Sequence, residues 1–398
     1  MAEAALDSDA LRGELTERAL TLGFARIGVA RAEALELEGE RLNTWLEAGH
    51  HDQMTWMSNT REVRRDPRHA GMLPGAASVV VLATPFLSRQ PGTPGVGVGR
   101  VARYAWGRDY HNVIGRRLRK LEVWLRDQGH AVRHSVDSRP VFERAWAVRA
   151  GVGFVGKNCC LIVPGLGSHV FLSTLVTTAT LPVDAPLREG CGRCTACLDA
   201  CPTGAFVAPR VLSAPRCISN LTIEREDNAA TDLLTQTGDW LFGCDACQDV
   251  CPYNQTRPGV LDPAFAPHPR LTALALEDLL GMDEARFREW SEGSPLRRAG
   301  SARMARNAAV VLGNTGGRLH LPVLGHAATR HPSEHVRAAA RWALGRIEAR
   351  AAGRATDDGA QVVSDQRGAE GPHATARSTA TPSEERDASE AARDTRDA

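Results

Sequence analysis

Ten cysteines occur in the 398 residues, and eight of them stand at spacings that serve one kind of chemistry. The first run reads Cys191-x2-Cys194-x2-Cys197-x3-Cys201-Pro202, a single Cys217 follows, and the second run is Cys244-x2-Cys247-x3-Cys251-Pro252. A 4Fe–4S cube needs one thiolate per iron. Cysteines separated by two residues wrap one edge of a cube, while the cysteine before proline is carried off to ligate the other cube. The spacing assigns Cys191, Cys194, Cys197 and Cys251 to one cube and Cys201, Cys217, Cys244 and Cys247 to the other. Cys217 stands in for the cysteine that the second run lacks. Zinc usually takes two spaced pairs rather than a four-cysteine run ending in Cys-Pro. Disulfides are not expected either, because the N-terminal residues read as an acidic helix and not as a secretory signal. Cys159 and Cys160 are left over and are expected as buried thiols.

Three further constellations have polar groups able to act. Asp137 ends a strand-like run and leads into Pro140, Glu143 and Arg144. Such a carboxylate is a proton donor or, in the commoner use, a helix N-cap. Trp106-Gly107-Arg108-Asp109-Tyr110-His111 is a loop anchored by aromatics or a helix start at Asp109. Gly153-Phe154-Val155-Gly156-Lys157-Asn158 holds one of only two lysines, in a turn suited to approaching a phosphate or a bulky cofactor, or in a plain tight turn. No G-x-G-x-x-G motif follows a strand and no P-loop occurs, so a nicotinamide, flavin or nucleotide site of those types is not expected.

Around these residues the chain divides by pattern. Residues 9–22 have helical spacing, Phe24–Ala30 is a short apolar run, and Ala77–Pro85 reads as a buried strand after the Pro74-Gly75 turn. Pro91–Gly99 is a Gly/Pro loop. His111–Gln128 is an amphipathic helix stopped by Gly129; His130–Val136 is a strand and Ala145–Gly151 a helix. Cys160–Val163 and Val170–Thr178 look like two strands joined by the Pro164–Gly167 turn. Helices and strands without a βαβ rhythm predict an α+β domain over residues 1–185. Residues 186–258 form a ferredoxin-like two-cluster insert, with short helices at Leu198–Cys201 and Asp245–Cys251. Residues 259–349 are helical. There Met304–Gly313 and Val336–Gly345 align with a period of 32, as in HEAT-like repeats.

Net charge is only +1, yet nine arginines face one acid, Glu334, between Leu296 and Arg346. That imbalance favours a nucleic-acid backbone over a plain solvated face. From Arg350 to the end, seven arginines meet ten acids and no aromatic, so residues 350–398 are expected to be disordered. No apolar stretch is long enough to span a membrane, and a cytoplasmic enzyme is expected.

Taken together, the motifs resemble epoxyqueuosine reductases, cobalamin-dependent iron–sulfur enzymes of tRNA modification. The resemblance runs from about residue 10 to residue 348 and is carried by Arg64–Ala76, Ala102–His111, Ser135–Asn158, Cys191–Ala205, Arg216–Glu224 and Gly243–Asn254. It implies two-electron reduction of an epoxide at the wobble position of tRNA, with two 4Fe–4S clusters feeding cobalamin that has no lower side-chain ligand. By this resemblance Asp137 is the proton donor, and an acid beside a departing alkoxide needs a raised pKa, which predicts burial against the corrin. The resemblance places cobalamin contacts at Arg64, Ala102, Asp137, Leu161, Leu172, Ser219 and Asp245, and a tRNA contact at Arg225. The basic repeat adds Arg303 and Arg306 as expected tRNA contacts. Asn220 departs from the family pattern, where an aromatic often follows Cys-Ile-Ser, and Ile114 stands where a lower-ligand motif starting at His111 would need glycine. Expected partners are tRNA and an external low-potential electron donor, to a monomeric protein. A small-molecule reductive dehalogenase and a pure electron carrier are the competing readings. The basic repeat disfavours the first, and the second leaves Asp137 without a task.

Overall fold

Short apolar runs that could not stand alone in water pair into one antiparallel sheet. In the computed structural model the described residues are 7–86, 98–188, 190–255, 262–271 and 275–353. The sheet joins β1 (Arg26–Arg31), β2 (Ser78–Pro85), β4 (Val132–Ser135) and β7 (Val170–Thr177) in the order β1-β2-β7-β4, every neighbour antiparallel. β2 and β7 pair along their whole length, from Ser78 opposite Thr177 to Pro85 opposite Val170. β2 is almost entirely buried, as its β-branched, uncharged sequence requires for a strand covered on both faces.

Helices cover the two faces. α1 (Ser8–Thr21) and α5 (Tyr110–Asp127) lie on one, where Leu11, Leu15, Ile114, Leu118, Leu121 and Leu125 meet Val80, Leu82 and Leu175. The 3- and 4-residue spacing of the α5 positions puts them on one stripe. α2 (Glu36–Glu47), α3 (Trp56–Asn59) and α4 (Arg61–Arg65) precede β2. α6 (Glu143–Arg149) packs on the other face, where Trp146 is buried against Val79, Val81 and Val176. Gly28 of β1 permits that approach, since a Cβ there would lie 2.0 Å from the Ala150 carbonyl oxygen. Truncating a buried tryptophan of this kind costs about 3–5 kcal/mol.

The strands expected at 160–163 and 170–178 form but do not pair with each other. β6 (Leu161–Ile162) pairs with β5 (Phe154–Val155), and β7 enters the main sheet. The turn between them closes only through a bridge of Val163 with Gly167. β7 alternates side chains into both cores, so the sheet offers it more burial than β6 does.

The cysteine segment holds α7 (Ala196–Asp199), the hairpin β8 (Phe206–Ala208) and β9 (Val211–Leu212), α8 (Ile218–Ile223), α9 (Thr231–Gln236), β10 (Trp240–Phe242) and α10 (Ala246–Asp249). β10 pairs in parallel with β3 (Arg100–Val101). α11 (Leu276–Gly281), α12 (Glu284–Trp290), α13 (Gly300–Thr315), α14 (Leu321–Arg330) and α15 (Glu334–Ala351) follow. The two aligned segments lie in α13 and α15, which pack together so tightly that a Cβ on Gly313 would sit 2.5 Å from the Trp342 ring. Val101, Ala105, Trp106, Leu241 and Phe242 join this helical core, so packing crosses the expected boundaries at residues 185 and 258. Most of the expected Pro91–Gly99 loop, and the tail beyond residue 353, lie outside the described residues. No helix among the described residues is long and apolar enough to cross a membrane.

Candidate active site

Two residues beyond β4, Asp137 adopts φ +50. The left-handed region costs a residue with a Cβ about 1–2 kcal/mol. Its carboxylate accepts a hydrogen bond from the Tyr110 hydroxyl at 2.7 Å. Tyr110 opens α5, and its ring stacks on Phe171 with centroids 4.4 Å apart and planes 11° from parallel. Burial, together with the Asp137 charge, raises the Tyr110 phenol well above its ordinary value, so it stays a donor. Asp109 caps the same helix by accepting from the His111 backbone N–H at 3.0 Å. Burial alone would raise the Asp109 carboxyl, but the His111 and Arg298 contacts hold it down to about 2. Arg298 reaches both Asp109 oxygens at 2.8 and 2.7 Å.

The N-cap reading of Asp137 fails, because α6 begins at Glu143 with Phe142 at its cap position. The expected burial is not supplied by the protein alone either, since Asp137 is exposed. Glu143, which the sequence offered only as a neighbour, is half-buried, and its Oε1 has no hydrogen-bond partner among the described residues. Burial pushes its carboxyl up to about 7; the Asp137 charge adds to this, while its own backbone N–H and Arg64 oppose it. Arg64 on α4 donates to Thr60 Oγ1 at 2.9 Å and to the Val141 carbonyl at 3.4 Å. Burial lowers the Arg64 pKa, against the pull of Glu143 and Asp137.

Leu161 and Leu172 belong with Val141 to the core under α6. Beside them Ser135 and Thr174 sit opposite each other on β4 and β7. Their hydroxyls are buried without a hydrogen-bond partner among the described residues, as are those of Ser173 and Thr84, which lie on the opposite face of the sheet with Phe171 and Leu82. Each such orphan costs about 1–3 kcal/mol. This combination of apolar wall and unsatisfied polar atoms suits a large ligand with polar edges, as cobalamin is.

Other expected contacts lie toward the second cysteine run. Ala102 is buried against Gly243, whose φ is +68 and where a Cβ would come within 2.6 Å of the Ala102 methyl. Asp245 is buried and already engaged: it accepts from the Arg103 backbone N–H at 2.8 Å and from the Arg103 guanidinium at 3.4 Å. Burial pushes its carboxyl up to about 6. Arg103 also donates to Asp249. Ser219 is the second residue of α8, where its backbone N–H and that of Asn220 point at the Cys217 sulfur. Tyr104, next to Arg103, meets Tyr110 with ring centroids 6.2 Å apart, which links this wall to Asp137.

The structure brings the cysteines of each expected set near one another, with Cys159 and Cys160 close to members of both. Cys191, Cys194, Cys197 and Cys251 influence one another electrostatically, as do Cys201, Cys217, Cys244 and Cys247. Among the described residues no three Cys, His, Asp or Glu side chains converge tightly enough for one metal ion, the geometry zinc would need. A cube holds its thiolates farther apart, one per iron. The first group reaches the surface through Cys194, which is exposed, whereas none of the second group is exposed. The glycine-punctuated turn proves to be a clasp. Lys157 Nζ donates to the carbonyls of Gly192 and Cys194 at 3.0 and 2.8 Å, and Asn158 Nδ2 to that of Cys247 at 3.4 Å. Cys159 and Cys160 are only half-buried, and Cys160 lies beside Cys247.

The expected tRNA contacts need correction. Arg306 is 3% exposed and donates to the carbonyls of Leu221, Arg225, Glu226 and Asp227, with N···O distances between 2.6 and 3.1 Å. It binds the chain after α8 to α13 and is not available to a phosphate. Arg303 is largely buried and donates to the Ile223 carbonyl. Arg225 pairs with Asp52 at 3.1 Å and Asp227 at 2.7 Å. Asn220, the departure from the family pattern, is buried and donates to the same Asp52 at 2.6 Å. Charge counting along the sequence could not see which arginines turn inward.

Two groups of four cysteines, joined through a buried polar wall to a carboxylate held by a tyrosine, define a two-cluster iron–sulfur oxidoreductase. The family profiles agree: "4Fe-4S double cluster binding domain" matches residues 190–254, and "Epoxyqueuosine reductase QueG, DUF1730" matches residues 64–138. The chain is 42% identical over 313 residues to the epoxyqueuosine reductase of Gloeobacter violaceus, spanning 76% of this chain and 96% of that protein. A crystal structure of epoxyqueuosine reductase with an epoxyqueuosine-modified tRNA-Tyr stem loop superposes with a TM-score of 0.80 at 34% identity, covering 85% of this chain and 90% of that one. The Bacillus subtilis enzyme, solved with its catalytic aspartate loop swung out of the active site, superposes with a TM-score of 0.77 at 33% identity, over 85% and 90% of the two chains. The chain belongs to the epoxyqueuosine reductase family.

Proposed function

We propose that this chain reduces the epoxide of epoxyqueuosine at the wobble position of tRNA, giving queuosine. The reaction takes two electrons and two protons and releases the epoxide oxygen as water. The observation that carries this reading is the placement of Asp137, held by Tyr110 at one end of a polar wall whose other end is the loop of Cys244 and Cys247. When bound, cobalamin supplies the reduced metal centre that gives the epoxide carbon its electrons. Arg64, Ala102, Leu161, Leu172, Ser219 and Asp245 would hold it, and the unsatisfied hydroxyls of Ser135 and Thr174, on the Leu172 face of the sheet, support that assignment. Asp137 delivers a proton to the departing oxygen, and the Tyr110 hydroxyl keeps the carboxyl directed during that transfer.

The eight cysteines hold two clusters in the pairing given above, with electrons arriving one at a time from an external low-potential donor. Residues 1–185 form the catalytic part, 186–258 the ferredoxin-like part and 259–349 a HEAT-like helical part that follows the tRNA backbone. The protein acts as a monomer in the cytoplasm. The test is anaerobic incubation of the reconstituted protein with cobalamin, dithionite and tRNA from cells lacking this activity, followed by nucleoside analysis. Conversion to queuosine is expected, and recovery of unchanged epoxide would reject the reading.

A further inference from the structure

The outer cysteine group lies at the surface among cations that no step of the reaction employs. Cys194 is exposed, and so are its neighbours Gly192 and Arg193. Arg188, three residues before Cys191, is exposed as well. Lys157 lies under the same loop through its bonds to the Gly192 and Cys194 carbonyls. Arg210, at the tip of the β8–β9 hairpin, joins this neighbourhood: its backbone N–H donates to the Lys157 carbonyl at 2.9 Å and its Nε to the Val155 carbonyl at 3.1 Å. The hairpin also shows an apolar side chain to water, Val207, 53% exposed. In sequence the carboxylates of this stretch are Glu189, next to Arg188, and Asp199, which accepts from Thr195 at 2.9 Å. The inner group, by contrast, has no exposed cysteine and is walled by Arg103, Asp245 and Asn158.

We propose that the face carrying Arg188, Arg193, Lys157 and Arg210 around Cys194 is the docking surface for an acidic one-electron carrier protein. The inference rests on the reductase reading, since it names the route by which that site is supplied. Electron transfer needs close approach of the two redox centres, and Cys194 is where the protein covers a ligand least. A ring of cations steers an acidic partner to that spot, raising the association rate about 10–1,000-fold at low salt. Val207 gives the encounter an apolar contact at its margin. A nucleic acid would also be drawn to these charges, but the cations surround a redox centre that RNA has no use for.

The test uses the reconstituted holoenzyme and a reduced, acidic plant-type ferredoxin as the probe. Turnover is measured with ferredoxin and, separately, with dithionite, in the wild type and in the double variant Arg188→Glu/Arg193→Glu. The expected result is a roughly tenfold or larger loss of ferredoxin-driven turnover at low salt. The wild-type rate should fall steeply with ionic strength and the variant rate should not. Dithionite-driven turnover and iron content should stay at wild-type levels. Ferredoxin-driven rates that ignore both the substitutions and salt would overturn the proposal, as would an enzyme that takes no electrons from ferredoxin. Equal loss with both reductants would make the arginines structural, and weaker binding of an unmodified stem loop by the variant would assign the face to RNA; either result also overturns it. Dithionite-driven turnover by the wild type reports on the reductase reading separately.

Discussion

The cysteine loops and the Asp137 loop are held in opposite ways. The loops of the two cysteine runs are tied from several sides: Lys157 and Asn158 from one turn, Arg103 from another, and Asn254 through Ser168 and the Gln248 carbonyl. Asp137 is exposed, sits in a disfavoured backbone region, and is tethered by one side-chain hydrogen bond to Tyr110. The electron side of the site is therefore built rigid, which fixes the spacing between redox centres. The loop after β4 is reached from outside by fewer side chains, Tyr110 at Asp137 and Arg64 at the Val141 carbonyl.

The difference can be broken first on the electron side. Cys217→Ala removes one thiolate of the inner cube, so iron should fall from about eight to about four atoms per chain, with turnover abolished. Full iron content would show that Cys217 is no ligand. On the proton side, Asp137→Asn should leave both clusters and cobalamin binding intact and lower kcat by about 100–10,000-fold. A variant with wild-type kcat would mean that the proton comes from elsewhere. Tyr110→Phe tests the tether itself. Losing a hydrogen bond of about 1–1.5 kcal/mol should cost about tenfold in kcat, and ordered density or restrained motion of the loop should be lost with it. If kcat is unchanged, the loop is held by something other than Tyr110.

The smallest effect concerns Glu143. Its folded-state carboxyl is raised from 4.5 to about 7, so between those values the folded chain keeps a proton that the unfolded chain releases. The resulting stability is complete below about pH 4.5 and is lost as pH rises through 7. Glu143→Gln should flatten the denaturation midpoint across that window. A wild-type slope in the variant would remove Glu143 from the charge cluster around Asp137.

Much of this arrangement was legible in local spacing. The double-cluster segment was legible in its cysteine runs, and α5 follows from its 3- and 4-residue stripe with Asp109 at its head. What the sequence concealed depends on contacts between distant segments. Tyr110 and Asp137 are 27 residues apart, and no local pattern ties a helix start to a loop after a strand. Lys157 and Cys194 are 37 apart, which left the glycine turn open to a phosphate or cofactor reading. Arg306 looked like part of a cationic surface because counting charges ignores direction. Its guanidinium satisfies four backbone carbonyls that would otherwise be stranded inside the protein. Glu143 was read as a neighbour of Asp137, while its half-buried, unpaired oxygen could only be seen in three dimensions.

Arg298 precedes α13, yet its guanidinium closes on Asp109 at the head of α5 and lies 5.6 Å from the Tyr110 ring. Shortening the chain ahead of residue 298 would thus do more than remove α13, α14 and α15. It would free the capping carboxylate one position from the tyrosine that steadies Asp137. A slow truncated enzyme that still reduced its clusters would be reporting a lost buttress behind the acid, and weakened tRNA capture would explain only part of the defect.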